Sequence, residues 1–104
     1  MYAKPQINGD TLIITLDGDV DHTAADQLRG EFLLLVRNAA ICHIWVEMGR
    51  VSMMDSSGLA LLLGWYRQVA ARGGSLTLKG VSLSVGKVLR IGGLHKLMCV
   101  EAAS

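Results

Sequence analysis

Strand-like and helix-like hydrophobic patterns alternate along this chain. Apolar and β-branched runs of strand length, each bounded by turn residues, occupy residues 11–16, 41–48, 75–79 and 97–101. We expect residues 3–7 to pair with the first run as the edge of a hairpin. The run at 41–48 is almost continuously hydrophobic, which predicts an interior parallel strand covered on both faces.

Between these runs, apolar residues recur at spacings of three and four, which predicts three amphipathic helices. They are expected over about 24–38 with Thr23 as the cap, from the serines at 56–57 to about Arg72, and after a cap at Ser82 or Ser84. Strands that alternate with helices through short connections predict an α/β fold with right-handed crossovers. We expect one domain over residues 1–104, with a mainly parallel sheet of four to five strands and an N-terminal hairpin edge.

Composition narrows the class of protein. The chain has 104 residues, of which 51% are hydrophobic and 18% charged, so a packed core is predicted and intrinsic disorder is excluded. The formal charge is +1 and no basic run is present, so nucleic-acid binding is not expected. We find no signal peptide and no apolar run near the roughly 20 residues of a membrane span, and therefore expect a cytoplasmic protein without direct membrane insertion. Cys42 and Cys99 are expected to be buried, reduced thiols.

Enzymatic and metal chemistry find little support in the sequence. Ser56 and Ser57 stand at a strand-to-helix turn, but the leading glycine of a nucleophile elbow is missing and no histidine is placed as a base. No phosphate-binding glycine loop occurs. The acidic cluster around Asp19 and Asp21 lacks a recognised ligand spacing. We therefore expect no catalytic residue, no metal site and no cofactor.

The start of the second predicted helix carries the strongest functional signal. Asp and Ser are preferred N-cap residues, so a helix can begin this way without any further function. One cap is sufficient, however, and three capping residues precede Gly58. If Asp55 is the cap, the Ser56 hydroxyl faces solvent beside the positive end of the helix dipole. A phosphate there would stand close to Asp55 and Asp21, and Ser56 is thus a candidate regulatory serine.

Leu61 and Trp65 lie four residues apart on the same helix, outside the apolar stripe that begins at Leu59. An apolar pair outside the core stripe favours a docking surface for a partner. A helix packed on two sides would instead bury both stripes. Met53 and Met54 fit either arrangement, and the sequence leaves both open.

Several motifs together resemble one known family. They are Met54-Asp55-Ser56-Ser57-Gly58-Leu59, Gly18-Asp19-Val20-Asp21 with the following His22-Thr23-Ala24, Gly73-Gly74, and Gly93-Leu94-His95-Lys96-Leu97. These segments resemble the STAS domain, and in particular the anti-sigma factor antagonists of bacterial partner-switching systems. In that family the phosphorylatable serine stands at the position of Ser56.

The resemblance implies a STAS-type fold and a non-enzymatic switch protein. Its unphosphorylated form would bind an anti-sigma factor that is also a serine kinase. Phosphorylation of Ser56 by that kinase would release the partner, and a serine phosphatase would reverse the modification. The partner-binding residues expected from the resemblance and from the docking hypothesis are Asp21, His22, Thr23, Asp55, Ser57, Gly58, Leu61 and Trp65.

An alternative within the same family also fits the sequence. Residues 58–63 resemble STAS proteins that accompany lipid-transport ABC ATPases as accessory subunits. In those proteins the serine at the helix start need not be phosphorylated.

Overall fold

Strands and helices alternate along the chain after an N-terminal hairpin. The computed structural model describes residues 1–103. Its elements are β1 (Tyr2–Asn8), β2 (Thr11–Asp17), α1 (His22–Arg37), β3 (His43–Arg50), α2 (Ser56–Ala70), β4 (Ser75–Val81), α3 (Leu83–Ile91), a 3₁₀ turn (Leu94–Lys96) and β5 (Cys99–Ala102). Within these residues, none of the helices has both the length and the hydropathy that a bilayer span requires.

The five strands form one sheet in sequence order, from β1 at one edge to β5 at the other. β1 pairs antiparallel with β2, and every later pair is parallel. The predicted hairpin edge and mainly parallel sheet are therefore confirmed. Each parallel connection leads to the adjacent strand, and right-handed crossovers of this kind place all three helices on the same face of the sheet.

The helix-free face of the sheet corrects one expectation about β3. Ile44 and Val46 are fully buried under the helices, but Trp45 between them keeps 37% of its surface exposed. The Lys79 ammonium group lies over the Trp45 ring, 3.9 Å from its centroid, and so covers part of it with a cation–π contact. The prediction that β3 is covered on both faces is wrong. The run looked continuous because an aromatic residue occupies the open face.

α2 packs against the sheet on one side and against α1 on another, and this buries Leu62 of the first stripe together with Leu61 and Trp65, while Leu59 and Tyr66 stay half-buried. Leu61 and Trp65 are only 2% and 4% exposed. Trp65 makes an edge-to-face contact with Phe32 of α1, with ring centroids 6.0 Å apart. The hypothesis of an exposed docking pair is therefore corrected: Leu61 and Trp65 form part of the core between the two helices.

The two cysteines also differ from the expected buried thiols. Both are free, but Cys42 is only half-buried and Cys99 is exposed. Cys99 pairs in register with Thr77 on the neighbouring strand β4. β5 is an edge strand, so its side chains have neighbours on only one flank, and Cys99 remains open to solvent.

Arg72 joins the ends of α1 and α2. Its guanidinium group donates to the Val36 carbonyl oxygen at 2.6 Å and also to the carbonyl oxygen of Ile41. Val36 lies in the last turn of α1, where backbone carbonyl groups lack partners within the helix. The arginine therefore satisfies groups that would otherwise be left unpaired close to the core.

We expect Arg72→Met to lower the free energy of unfolding by about 1–3 kcal/mol, because two partly buried carbonyl groups lose a charged donor. Arg67→Met in the last turn of α2 is the matched control, since Arg67 is exposed, and it should change stability by less than about 0.5 kcal/mol. Urea denaturation measures both. Equal losses in the two variants would contradict a specific role of Arg72.

Candidate functional site

A short β-bridge joins the loops that follow β2 and β3. The bridge is parallel and isolated, and it pairs Val20 with Met54. The Val20 N–H group donates to the Met53 carbonyl oxygen at 2.9 Å, and the Asp55 N–H group donates to the Val20 carbonyl oxygen at 3.2 Å. The first residues of α1 and α2 are thereby held side by side, at the carboxyl-end edge of the parallel strands where sites of α/β proteins commonly lie.

Both helices begin with an aspartate cap. Oδ1 of Asp21 accepts from the Ala24 N–H group at 2.9 Å, and Oδ1 of Asp55 accepts from the Ser57 N–H group at 2.9 Å. The predicted cap Asp55 is confirmed, whereas the prediction that Thr23 caps α1 is wrong. Asp21 takes that role because its backbone is extended and its carboxylate reaches the first turn. Thr23 lies inside this turn with its side chain exposed.

The two serines at the start of α2 have different surroundings. Ser56 is the first residue of the helix and is exposed, and its hydroxyl group has no hydrogen-bond partner among residues 1–103. Ser57 is half-buried, and its Oγ lies 3.3 Å from Nδ1 of His22. His22 is the first residue of α1, so its contact with Ser57 links the starts of the two helices. Of the two serines, Ser56 is therefore the one with a free hydroxyl group.

Carboxylates dominate the charge around these serines. Asp21 and Asp55 cap the helices, and Asp19 accepts a hydrogen bond from the Ser52 hydroxyl group at 2.8 Å. None of the three forms a salt bridge with a residue in the described part of the chain. A phosphate on Ser56 would therefore add negative charge beside carboxylates that have no Lys or Arg partner among the described residues. Over residues 1–103, no three His, Cys, Asp or Glu side chains are placed to share a metal ion.

Gly58 allows the bridge and the helix start to pack closely. A Cβ atom at this position would lie 2.5 Å from Cγ of Met54 and 3.1 Å from Cγ1 of Val20. Both neighbours are buried, at 4% and 0% exposure, so neither side chain can move aside freely. Gly58, expected from the resemblance to bind a partner, is buried, and the role that the contacts give it is to make room for the bridge.

Two exposed apolar side chains lie along the same edge of the sheet. Met53, which the sequence left open, is 43% exposed, and Leu83 at the start of α3 is 87% exposed. α3 is tied to this region because the Ser84 hydroxyl group donates to the Ser52 carbonyl oxygen at 3.2 Å. Leu83 was not among the residues expected from the sequence. Its position could have indicated exposure, because Leu83 directly follows the Ser82 cap and lies outside the buried stripe of Val85 and Leu89.

Comparisons with known proteins find a family and several relatives that match most of this chain. The family model described as "Mlab, STAS domain" matches residues 3–100. The anti-sigma F factor antagonist of Paenibacillus polymyxa is 32% identical over 87 residues, which cover 84% of this chain and 74% of that protein.

Solved structures agree with the sequence matches. The anti-sigma factor antagonist SpoIIAA in its unphosphorylated form matches with a TM-score of 0.78 and 29% identity, over 99% of this chain and 90% of that chain. The Bacillus cell fate determinant SpoIIAA in the phosphorylated form matches with a TM-score of 0.76 and 31% identity, over 95% of this chain and 90% of that chain.

We expect Gly58→Ala to lower the free energy of unfolding by up to about 2 kcal/mol. Alanine normally stabilises a helix interior by about 1 kcal/mol relative to glycine, but overpacking against Met54 and Val20 costs about 1–3 kcal/mol. Gly64→Ala in the same helix is the control, because nothing lies within 4 Å of a Cβ atom there. This variant should gain about 0.5–1 kcal/mol. Thermal or urea unfolding measures the stability of both variants. If Gly58→Ala stabilised the protein as Gly64→Ala does, the packing role of Gly58 would be contradicted.

Proposed function

This chain belongs to the STAS domain family, among the anti-sigma factor antagonists, and we propose that phosphorylation of Ser56 controls its binding to an anti-sigma factor. The unphosphorylated form binds an anti-sigma factor that is also a serine kinase. That kinase transfers a phosphate to Ser56 and dissociates, and a serine phosphatase restores the binding form. The observation that carries this proposal is the exposed and unbonded Ser56 hydroxyl group at the first residue of α2.

The surroundings of the two serines favour Ser56 over Ser57 as the phosphate acceptor. An acceptor hydroxyl group must reach the γ-phosphate of ATP in the kinase site, lose its proton and displace ADP. The Ser56 side chain is free to do so. The Ser57 side chain is half-buried and lies within hydrogen-bond distance of His22, and its use would require this contact to open.

Charge explains how the modification would release a partner. A phosphoserine carries about −1.5 to −2 charges at neutral pH. At Ser56 this charge adds to Asp21 and Asp55, while the Asp55 carboxylate already accepts from N–H groups of the first turn of α2. The positive helix end therefore compensates the phosphate only in part. Because Ser56 is exposed, the phosphate changes the surface potential and shape of the site and leaves the core unchanged.

The surface around Ser56 defines the partner that fits it. It combines the exposed residues Asp21, His22 and Thr23 at the start of α1 with the apolar side chains of Met53 and Leu83. A matching surface offers basic groups for the carboxylates and an apolar pocket for the exposed side chains. Phosphorylation then opposes binding through steric bulk and through the altered charge balance.

The alternative function, an accessory subunit of a lipid-transport ABC ATPase, would use the same fold without phosphorylation of Ser56. A pull-down from native lysate with wild-type protein and Ser56→Asp in parallel separates the two. Retention of a small ATP-binding kinase by the wild type alone supports the phosphorylation switch. Retention of a transport ATPase by both forms contradicts it.

We expect the anti-sigma factor kinase of the same genome, incubated with ATP, to add one phosphate to the wild-type protein. Ser56→Ala should abolish the modification, because it removes the free hydroxyl group. Ser57→Ala is the matched control and should retain it. Intact-mass spectrometry reads out all three proteins. Phosphate in Ser56→Ala, or its loss in Ser57→Ala alone, would contradict the assignment.

We expect Leu83→Ser to weaken binding of the anti-sigma factor about tenfold, because an apolar anchor at an interface centre contributes roughly 1–2 kcal/mol. The fold should be unaffected, since Leu83 is 87% exposed. Leu34→Ser is the control: Leu34 is 83% exposed but lies 12 residues into the sequence after His22, roughly 18 Å along α1. Titration calorimetry measures both, and equal affinities would remove Leu83 from the contact surface.

A further inference from the structure

A cavity between α3 and β5 does not include Ser56 or Ser57, and Leu83 is the one residue that it shares with the contact surface described above. Its volume is about 430 Å³, within the range of small-molecule sites. Its walls include Leu89 and Met98, which are 1% and 6% exposed and belong to the core. The cavity therefore opens onto packed apolar side chains, and an apolar group that enters it leaves water.

All ionisable side chains at this cavity are basic or thiol groups. Lys87 and Arg90 line it and are three residues apart on α3, so they share one side of the helix. Neither forms a salt bridge within residues 1–103, and no Asp or Glu lines the cavity. Both side chains are exposed at the rim, so they are available to an anion that approaches from solvent.

His95 adds an unsatisfied polar group to the same wall. Its Nδ1 is the one buried side-chain nitrogen or oxygen in the described part of the chain without a hydrogen-bond partner. That nitrogen is shielded from solvent, so an anion in the cavity contacts the rim and not Nδ1. His95, the cationic rim and the apolar floor belong to the same cavity.

We propose that this cavity binds a small amphiphilic carboxylate, with its alkyl chain against Leu89 and Met98 and its charged end between Lys87 and Arg90. The apolar floor supplies most of the affinity, and the two basic groups select the anion. The site is independent of Ser56, so its failure and the failure of the phosphorylation switch are distinguishable. In particular, Ser56→Ala should bind the carboxylate as the wild type does.

A larger side chain at Gly86 would fill the cavity and leave Leu89, Met98, Lys87 and Arg90 unchanged. Gly86 lines the cavity from α3, and the atom nearest to an added Cβ is Cγ1 of Val81 at 3.7 Å, an ordinary contact distance. The Cβ atom of a leucine at this position therefore fits without a clash, and the rest of its side chain would occupy the cavity. Leucine is also a better helix former than glycine, which favours folding of the variant.

The test is a titration of the ¹⁵N-labelled full chain with hexanoate, octanoate and decanoate below their micelle concentrations, followed by amide chemical shifts. We expect shifts at Gly86 and Met98 and an affinity that rises about fourfold for each added methylene group until the cavity is full. Gly86→Leu should weaken octanoate binding at least tenfold. A double variant, Lys87→Gln with Arg90→Gln, should weaken octanoate about tenfold but leave 1-octanol unchanged.

Matched controls make the outcome decisive. Arg67→Gln removes an exposed positive charge on α2 and should bind octanoate like the wild type. Equal octanoate binding by Gly86→Leu, or no dependence on chain length, would overturn the cavity as the site. Equal effects of the double variant and Arg67→Gln would overturn anion recognition. Shifts at the same amides that follow protein concentration without any carboxylate would identify a second copy of the chain as the occupant and overturn the proposal.

Discussion

The bridge between Val20 and Met54 is the constraint on which the rest of the site depends. Two backbone hydrogen bonds hold together loops that follow different strands, and each loop leads directly into a capped helix. Without this pairing, nothing would hold the Asp21 and Asp55 caps next to each other. The pairing places them along one acidic edge, where His22 of α1 reaches Ser57 of α2. Gly58 is the residue whose small size lets the bridge and helix approach each other.

The same arrangement separates stability from recognition. The buried side of the site consists of apolar side chains and glycine, and its energy comes from close packing. The exposed side consists of hydroxyl groups, a few apolar side chains and carboxylates, of which Asp21 and Asp55 also cap the two helices. A charge added at Ser56 therefore acts on the exposed side alone. This suits a protein that must change its partner while its own structure stays intact.

Local features of this chain could be predicted from sequence, and tertiary features only in part. The order of elements, the Asp55 cap and the exposed Ser56 follow from short-range rules of hydrophobic period and helix capping. The burial of Leu61 and Trp65 did not follow, because it depends on α1 packing beside α2 on the same face of the sheet. The prediction that β3 is buried on both faces failed for the opposite reason. Trp45 is hydrophobic, but it lies on the face of the sheet that carries no helix. Such outcomes depend on which element packs where, and a single sequence does not encode this in its periodicity.

The sequential order of the strands has a consequence for how the chain folds. Every strand pairs only with its immediate neighbours in sequence, so no pairing requires the closure of a long loop. Parallel sheets are usually slow to form because their contacts are distant in sequence, and this order keeps that distance to a single helical connection. During synthesis, the hairpin can form first and each new strand can add to a finished edge. The α3–β5 end is thus the last part to assemble, and interruption of synthesis before it would leave β4 as the growing edge.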